Sequence, residues 1–206
     1  MIQAIRNFIT RRTFAYKLRN KAMNMFSSFE NFNLIREKAE ASRKAENRPH
    51  EVLYFHKVDD PYSHLTIHYI DKFKEAYDIQ FKPILVGEEN PAALHEPTLY
   101  TDYCLEDVIR IASYYDVDFP GKSYPDKKLV DIANSILTAV NPEEFGSIAK
   151  IVSHALWSGD LSKLEELEVS HKSSEQEVIE TLKKGNEIRN GCDYYFGSAF
   201  YYEKEL

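Results

Sequence analysis

Apolar side chains recur along this chain with two different periods, and the change of period divides it into segments. Ile2, Ile5, Phe8, Ile9, Phe14 and Leu18 return at helical spacing among basic residues, the pattern of an amphipathic helix. Ser28 to Asn47 predicts a second, highly charged helix. It should stop at Arg48-Pro49, because the residue before proline is pushed out of the α region. Val52 to Val58 then reads as a buried strand, Tyr62 to Tyr77 as a helix with Leu65, Tyr69, Ile70 and Phe73 facing a core, and Ile79 to Val86 as a second strand. A right-handed crossover makes such strands parallel. After Gly87-Glu88-Glu89-Asn90-Pro91 the pattern is helical to Gly185, which is expected to end the last helix, with Ile179, Leu182 and Ile188 lining a core. Cys192 to Tyr202 predicts an aromatic strand, and Glu203 to Leu206 a turn with the first residue of another strand.

The junction of the first strand and its helix, Asp59-Asp60-Pro61, is where local chemistry concentrates. Proline inside a helix start loses no hydrogen bond and has φ already set, and the aspartate before it can cap free amides. Asp60 therefore sits at a helix N-terminus, where the dipole favours negative charge and should keep its carboxylate ionised. His56, Asp59, Asp60, His64 and His68 form a titratable cluster around it. His64 and His68 have the i, i+4 spacing that can chelate a metal, but no third ligand stands at a recognisable spacing, so no metal is expected.

Composition changes the picture in three ways. With 206 residues, 43% hydrophobic and 13% aromatic, the chain can bury a sizeable core. No segment is long and apolar enough to span a membrane and no secretory signal is visible, which leads to the expectation of a cytoplasmic protein. The two cysteines, Cys104 and Cys192, are too far apart in sequence to read as a redox pair or a zinc site. The net charge of −7 is unevenly spread: the first 29 residues hold six basic side chains and no acidic one. That segment reads as a helix docked on the acidic body or on a partner, as a membrane-surface or nucleic-acid contact, or as an organelle transit peptide. The acidic body argues against nucleic acid as the partner of the whole protein.

Phe55 to Leu65, centred on Asp60-Pro61-Tyr62-Ser63, resembles the strand-to-helix motif of the thioredoxin superfamily, in the branch of DsbA-type oxidoreductases, kappa-class glutathione transferases and 2-hydroxychromene-2-carboxylate isomerases. The redox members carry Cys-Pro-x-Cys there and the isomerase and kappa members Ser-Pro-Tyr-Ser or close to it. Asp60 then stands at the nucleophilic cysteine or activating serine, and Ser63 at the resolving cysteine. Tyr103, Asp107 and Arg110, Asp118-Phe119-Pro120, and Ala155 to Leu161 with Trp157 and Gly159-Asp160 are similar to the helical domain of the isomerase branch. Read from the residues alone, Asp107 and Arg110 are an ordinary ion pair on one helix face, and Trp157 is a core plug beside a helix stop.

The resemblance implies an α/β thioredoxin-like fold with residues 51–90 and 186–206 as the thioredoxin-like domain, 91–185 as a helical insertion and 1–50 as an N-terminal helical extension. Its C-terminal hairpin is incomplete, and a homodimer partner or a further segment would cover the open edge. In the family a loop with a cis-proline faces the active turn; here Ser198 or Ala199 takes that place, so a trans peptide is expected. The implied catalytic residues are Asp60, Tyr62 and Ser63, with His56, Asp59, Pro61, His64, Ser198 and Ala199 around a small-molecule substrate and glutathione as cofactor. An aspartate cannot perform thiol–disulfide exchange. Two functions remain: a glutathione-dependent isomerase or transferase in which Asp60 acts as general base or Tyr62 or Ser63 as donor, or a catalytically inactive thioredoxin-like binding module.

Overall fold

The computed structural model describes residues 14–88, 94, 96–203 and 205. The amphipathic pattern of Ile2 to Ile9 and part of the Gly87–Pro91 segment lie outside the described residues. The chain divides into two compact units between Pro49 and His50. In the first, α1 (Phe14–Phe26) and α2 (Phe29–Ala45) are separated by Ser27-Ser28, and the Ser28 hydroxyl caps α2 by accepting from Asn31 N–H.

The second unit opens with β1 (Glu51–His56), α3 (Pro61–Ile67), α4 (Ile70–Ala76) and β2 (Gln80–Leu85). A single helix over Tyr62–Tyr77 was expected. The chain breaks at His68-Tyr69 instead, where the His68 amide turns back to the Leu65 and Thr66 carbonyls. Ile67 and Ile70, on either side of the break, both bury fully in one core. β1 and β2 pair in parallel from Glu51 opposite Gln80 to His56 opposite Leu85. Pro83 has no N–H to give to a further strand, which suits β2 to the edge.

Helices α5 (Pro97–Ile111), α6 (Lys127–Ala139), α7 (Phe145–Ser158), α8 (Leu161–Glu168) and α9 (Glu175–Gly191) follow, with a short 3-10 turn at Ala112–Tyr115. The chain returns as β3 (Ala199–Tyr201), antiparallel to β1, giving sheet order β2-β1-β3. β3 has only three of the residues expected for a strand over Cys192–Tyr202. Cys192 to Ser198 form turns instead, because their polar groups are spent on the Asp60 turn and on Arg189. Tyr202 and Glu205 form an isolated bridge beyond β3.

The core lies where Tyr54, Phe81 and Leu85 of the sheet meet Ile136 of α6, Phe145 and Leu156 of α7 and Leu164 of α8. Burying each such side chain contributes roughly 1.5–3 kcal/mol. A second cluster, Leu65, Val108, Ala112 and Val117, fastens α3 to α5. Trp157 is buried, and Gly159 ends α7 in the left-handed conformation at φ 73°, as a helix stop there requires.

Gly185 does not end a helix. It lies inside α9, which starts with a Ser174–Glu177 capping box and runs across the 185/186 boundary to Gly191. A Cβ at residue 185 would stand 1.8 Å from the Leu85 carbonyl oxygen, so glycine is kept here by the close approach of helix to strand. Ile179, expected in the core, is exposed, while Leu182 packs against it.

Candidate active-site turn

β1 delivers the chain to Asp60, which adopts extended φ and ψ as the N-cap of α3, with Pro61 in the first turn. Its Oδ2 accepts two backbone hydrogen bonds, from Ser63 N–H at 2.8 Å and from Ser198 N–H at 3.2 Å. The first satisfies a free amide of the helix; the second ties α3 to the loop before β3. Gly197 lies flat on the carboxyl group, since a Cβ there would stand 2.7 Å from Asp60 Cγ. Asp60 is thereby left only 8% exposed. Burial pushes its carboxyl above the ordinary aspartate range, against the Ser63 and Ser198 amides, which favour the ionised form. The helix terminus read from the sequence favours the ionised form; burial acts in the opposite direction.

The other residues of the motif separate into two groups. Ser63 is buried one turn on and its Oγ accepts from Lys57 N–H at 3.3 Å, closing the turn. Ser198 Oγ donates to Thr66 Oγ1 at 2.7 Å, Ala199 pairs with Phe55, and Pro61 is buried. The peptide bonds of the described residues are all trans. Tyr62 instead points toward α5 and donates to Asp107 Oδ2 at 2.7 Å; burial first, and then the carboxylate that accepts its proton, raise its pKa. The expected Asp107–Arg110 pair does not form, because Asp107 is engaged across helices and Arg110 reaches back to Glu106 at 2.7 Å.

His56 and His64 are enclosed rather than presented to a ligand. The Tyr54 hydroxyl stands 3.0 Å from His56 Nδ1, and His56 Nε2 is buried with no partner among the described residues. Burial, with His64 nearby, lowers the His56 pKa to about 3. His64 Nε2 donates to the Asp118 carbonyl at 2.8 Å, which leaves Nδ1 to accept from the Ser153 hydroxyl, also at 2.8 Å. Burial lowers its pKa to about 4. Both rings are therefore neutral at pH 7. Among the described residues no three His, Cys, Asp or Glu side chains are grouped to hold a metal ion.

Asp59 faces the other way, forming an ion pair with Lys57 at 2.9 Å on the wall of a crevice of about 750 Å³. The crevice opens at the carboxyl ends of β1 and β2, the place where open α/β sheets bind ligands. Val58, Val86 and Leu182 line its apolar part, and Lys57, Asn134, Lys183 and Asn186 its polar part. Asp60, Tyr62 and Ser198 do not line it. A more apolar cavity of about 620 Å³, between Val52, Phe73, Tyr77 and Phe200, lies at the opposite end of β1.

Three residues that organise the turn had not stood out in the sequence. Asn186 accepts from Gly87 N–H at 2.9 Å. Arg189, buried, donates from Nη1 to the Phe196 carbonyl at 3.1 Å and from Nη2 to the Glu88 carbonyl at 2.8 Å, joining the loop after β2 to the loop above Asp60. Gly197 is the third. The spacing of Gly185, Asn186 and Arg189 on one helix face was the available signal, hidden by the assumption that the helix ended at the glycine.

No family model matches this chain, and no curated protein matches it. Among solved structures, that of selenomethionine 2-hydroxychromene-2-carboxylate isomerase is similar to it, with a TM-score of 0.51 and 12% identity over 75% of this chain and 86% of that one. At that identity the likeness is one of fold: the chain has a mixed α/β, thioredoxin-like fold with added helices.

Proposed function

We propose that this chain is a thioredoxin-fold protein of the glutathione-dependent isomerase and transferase type, which binds a small molecule and carries out no thiol–disulfide exchange. The observation that supports this is the state of residue 60. A carboxylate is no sulfur nucleophile, and this one is turned inward to cap α3 and hold the Gly197–Ser198 loop, with Ser63 in place of a second thiol. Asp60 is then a positioning residue, and so is Tyr62, which keeps its proton and donates its hydrogen bond to Asp107. The isomerase named in the similar structure supports a carboxylate-bearing organic molecule as the substrate class. The crevice beside Asp59 has the volume of a small-molecule site, and Lys183 lines it together with the Lys57–Asp59 ion pair and Glu187. A second reading, a binding module without turnover, is favoured by the burial of Asp60, His56 and His64 together.

Titration calorimetry with glutathione and S-methylglutathione, alongside an insulin disulfide-reduction assay, tests both readings. The expected result is no reductase activity and a preference of the natural protein for S-methylglutathione, because the Tyr62, Ser63 and Ser198 hydroxyls are already bonded within the protein and none is left to donate to a thiolate. Asp60→Ser, which restores a hydroxyl donor, should bind glutathione about tenfold more tightly than the natural protein does. Disulfide reduction would contradict the proposal. Heat from neither ligand with the natural protein, gained in Asp60→Ser, would select the binding module.

A further inference from the structure

The N-terminal unit carries a surface that the thioredoxin-like unit does not explain. On α1, Leu18, Ala22, Met25 and Phe26 stand at i, i+4, i+7 and i+8 and so share one face. Leu18, Met25 and Phe26 are exposed, and α2 continues the display with Phe29 and Phe32 and has no buried residue along its length. Phe26 and Phe29 are 74% and 73% exposed, far more than single surface aromatics in a soluble helix pair require. The charges are arranged around that face. Lys17 and Lys21 fall on one border and Arg19 on the other, with its guanidinium 5.5 Å from the centre of the Tyr16 ring. No acidic residue precedes Glu30.

We infer that α1 and the start of α2 form a peripheral membrane contact for anionic lipid. An apolar strip with basic side chains on both borders is the arrangement that lets a helix lie in the plane of a bilayer surface. Leu18, Met25, Phe26 and Phe29 enter the acyl boundary, while Lys17, Arg19 and Lys21 reach the phosphates. Charge decides the occupant. On α1 the charges are all of one sign, with Glu30 of α2 the first acid, and they match a surface that is uniformly negative. A nucleic-acid backbone would match the charge but leave the phenylalanines and methionines in water. No helix of the described residues is long and apolar enough to cross a membrane, so the contact is in-plane.

The test is sedimentation of the full chain with vesicles of phosphatidylcholine alone and of phosphatidylcholine with about one-third phosphatidylserine. The bound fraction should be at least about tenfold higher on the anionic vesicles, and should fall as salt screens the charges. The paired changes Lys17→Glu with Lys21→Glu, and Phe26→Asp with Phe29→Asp, should each abolish the excess. Trp157 fluorescence melts should not change, because that residue reports the other unit. No pelleting, equal pelleting with neutral vesicles, or pelleting indifferent to these substitutions would overturn the inference. So would a concentration-dependent oligomer, dissolved by Phe26→Asp, in a protein that ignores vesicles; that result would assign the face to a second copy.

Discussion

Gly185→Ala is expected to destabilise the thioredoxin-like unit by about 3 kcal/mol, lowering its Tm by about 10 °C. The added methyl group would sit 1.8 Å from the Leu85 carbonyl oxygen and 3.3 Å from Ile84 Cγ2. The nearer of these is backbone, which no rotamer change can move aside. Helix α9 would have to lift from β2, stretching the Asn186–Gly87 and Arg189–Glu88 hydrogen bonds made within the next turn. The gain in helix propensity from glycine to alanine, roughly 1 kcal/mol, offsets only part of this. Gly191→Ala is the control, because a Cβ there meets nothing within 4 Å. Urea denaturation followed by the fluorescence of Trp157, the one tryptophan of the chain, measures both. Equal stability of the two variants would show that α9 does not pack against β2 as described.

Acid is expected to unfold the same unit earlier than its carboxylates would. In the fold His56 and His64 have pKa values near 3 and 4, both below the ordinary value of 6.5. The native state therefore binds fewer protons than the unfolded chain. The stability this represents is present in full above pH 6.5 and is lost as pH falls through 6.5 toward 4 and then 3. Each histidine approaches a slope of about 1.4 kcal/mol per pH unit below pH 6.5, so the pair costs about 3 kcal/mol between pH 6.5 and 5. His56→Leu removes a titrating ring whose Nε2 has no partner among the described residues, and should halve the slope. Stability that stays flat down to pH 5, or a slope unchanged in the variant, would contradict the burial of the two rings.

Parts of this architecture were legible in the sequence for local reasons. Asp60-Pro61 marks a helix start by capping chemistry alone, and the apolar runs on either side of that helix mark two strands. The Trp157-x-Gly159 stop was equally local. What escaped was tertiary. At the His68-Tyr69 break, Ile67 and Ile70 keep a spacing that one helix would also give, so periodicity sees only one helix. Asp107 looked like a partner for Arg110 because both lie on α5, yet its partner, Tyr62, is 45 residues away. Arg189 resembled any surface arginine, and only the convergence of two loops makes its burial useful. At the candidate site, the cap formed by Asp60 was readable, but the Gly197–Ser198 loop packed on its carboxyl group was not, because it arrives from the far end of the chain.

The claim on which the functional account turns is that Asp60 holds the turn and its loop together through its oxygen atoms, without need of its charge. Urea denaturation of the natural protein, Asp60→Ala and Asp60→Asn, read by Trp157 at pH 7 and again near pH 5, tests it most directly. Asp60→Ala should lose about 2–3 kcal/mol, from the missing cap and the unpaired Ser198 amide. Asp60→Asn retains an accepting oxygen and removes a buried charge. A carboxyl whose pKa is raised by folding adds stability only while protonated and loses it as pH rises through the folded pKa. The asparagine variant should therefore match or exceed the natural protein at pH 7, with the difference narrowing as pH falls toward the ordinary aspartate range. An asparagine variant as unstable at pH 7 as the alanine variant would contradict the account, because the fold would then depend on the ionised group.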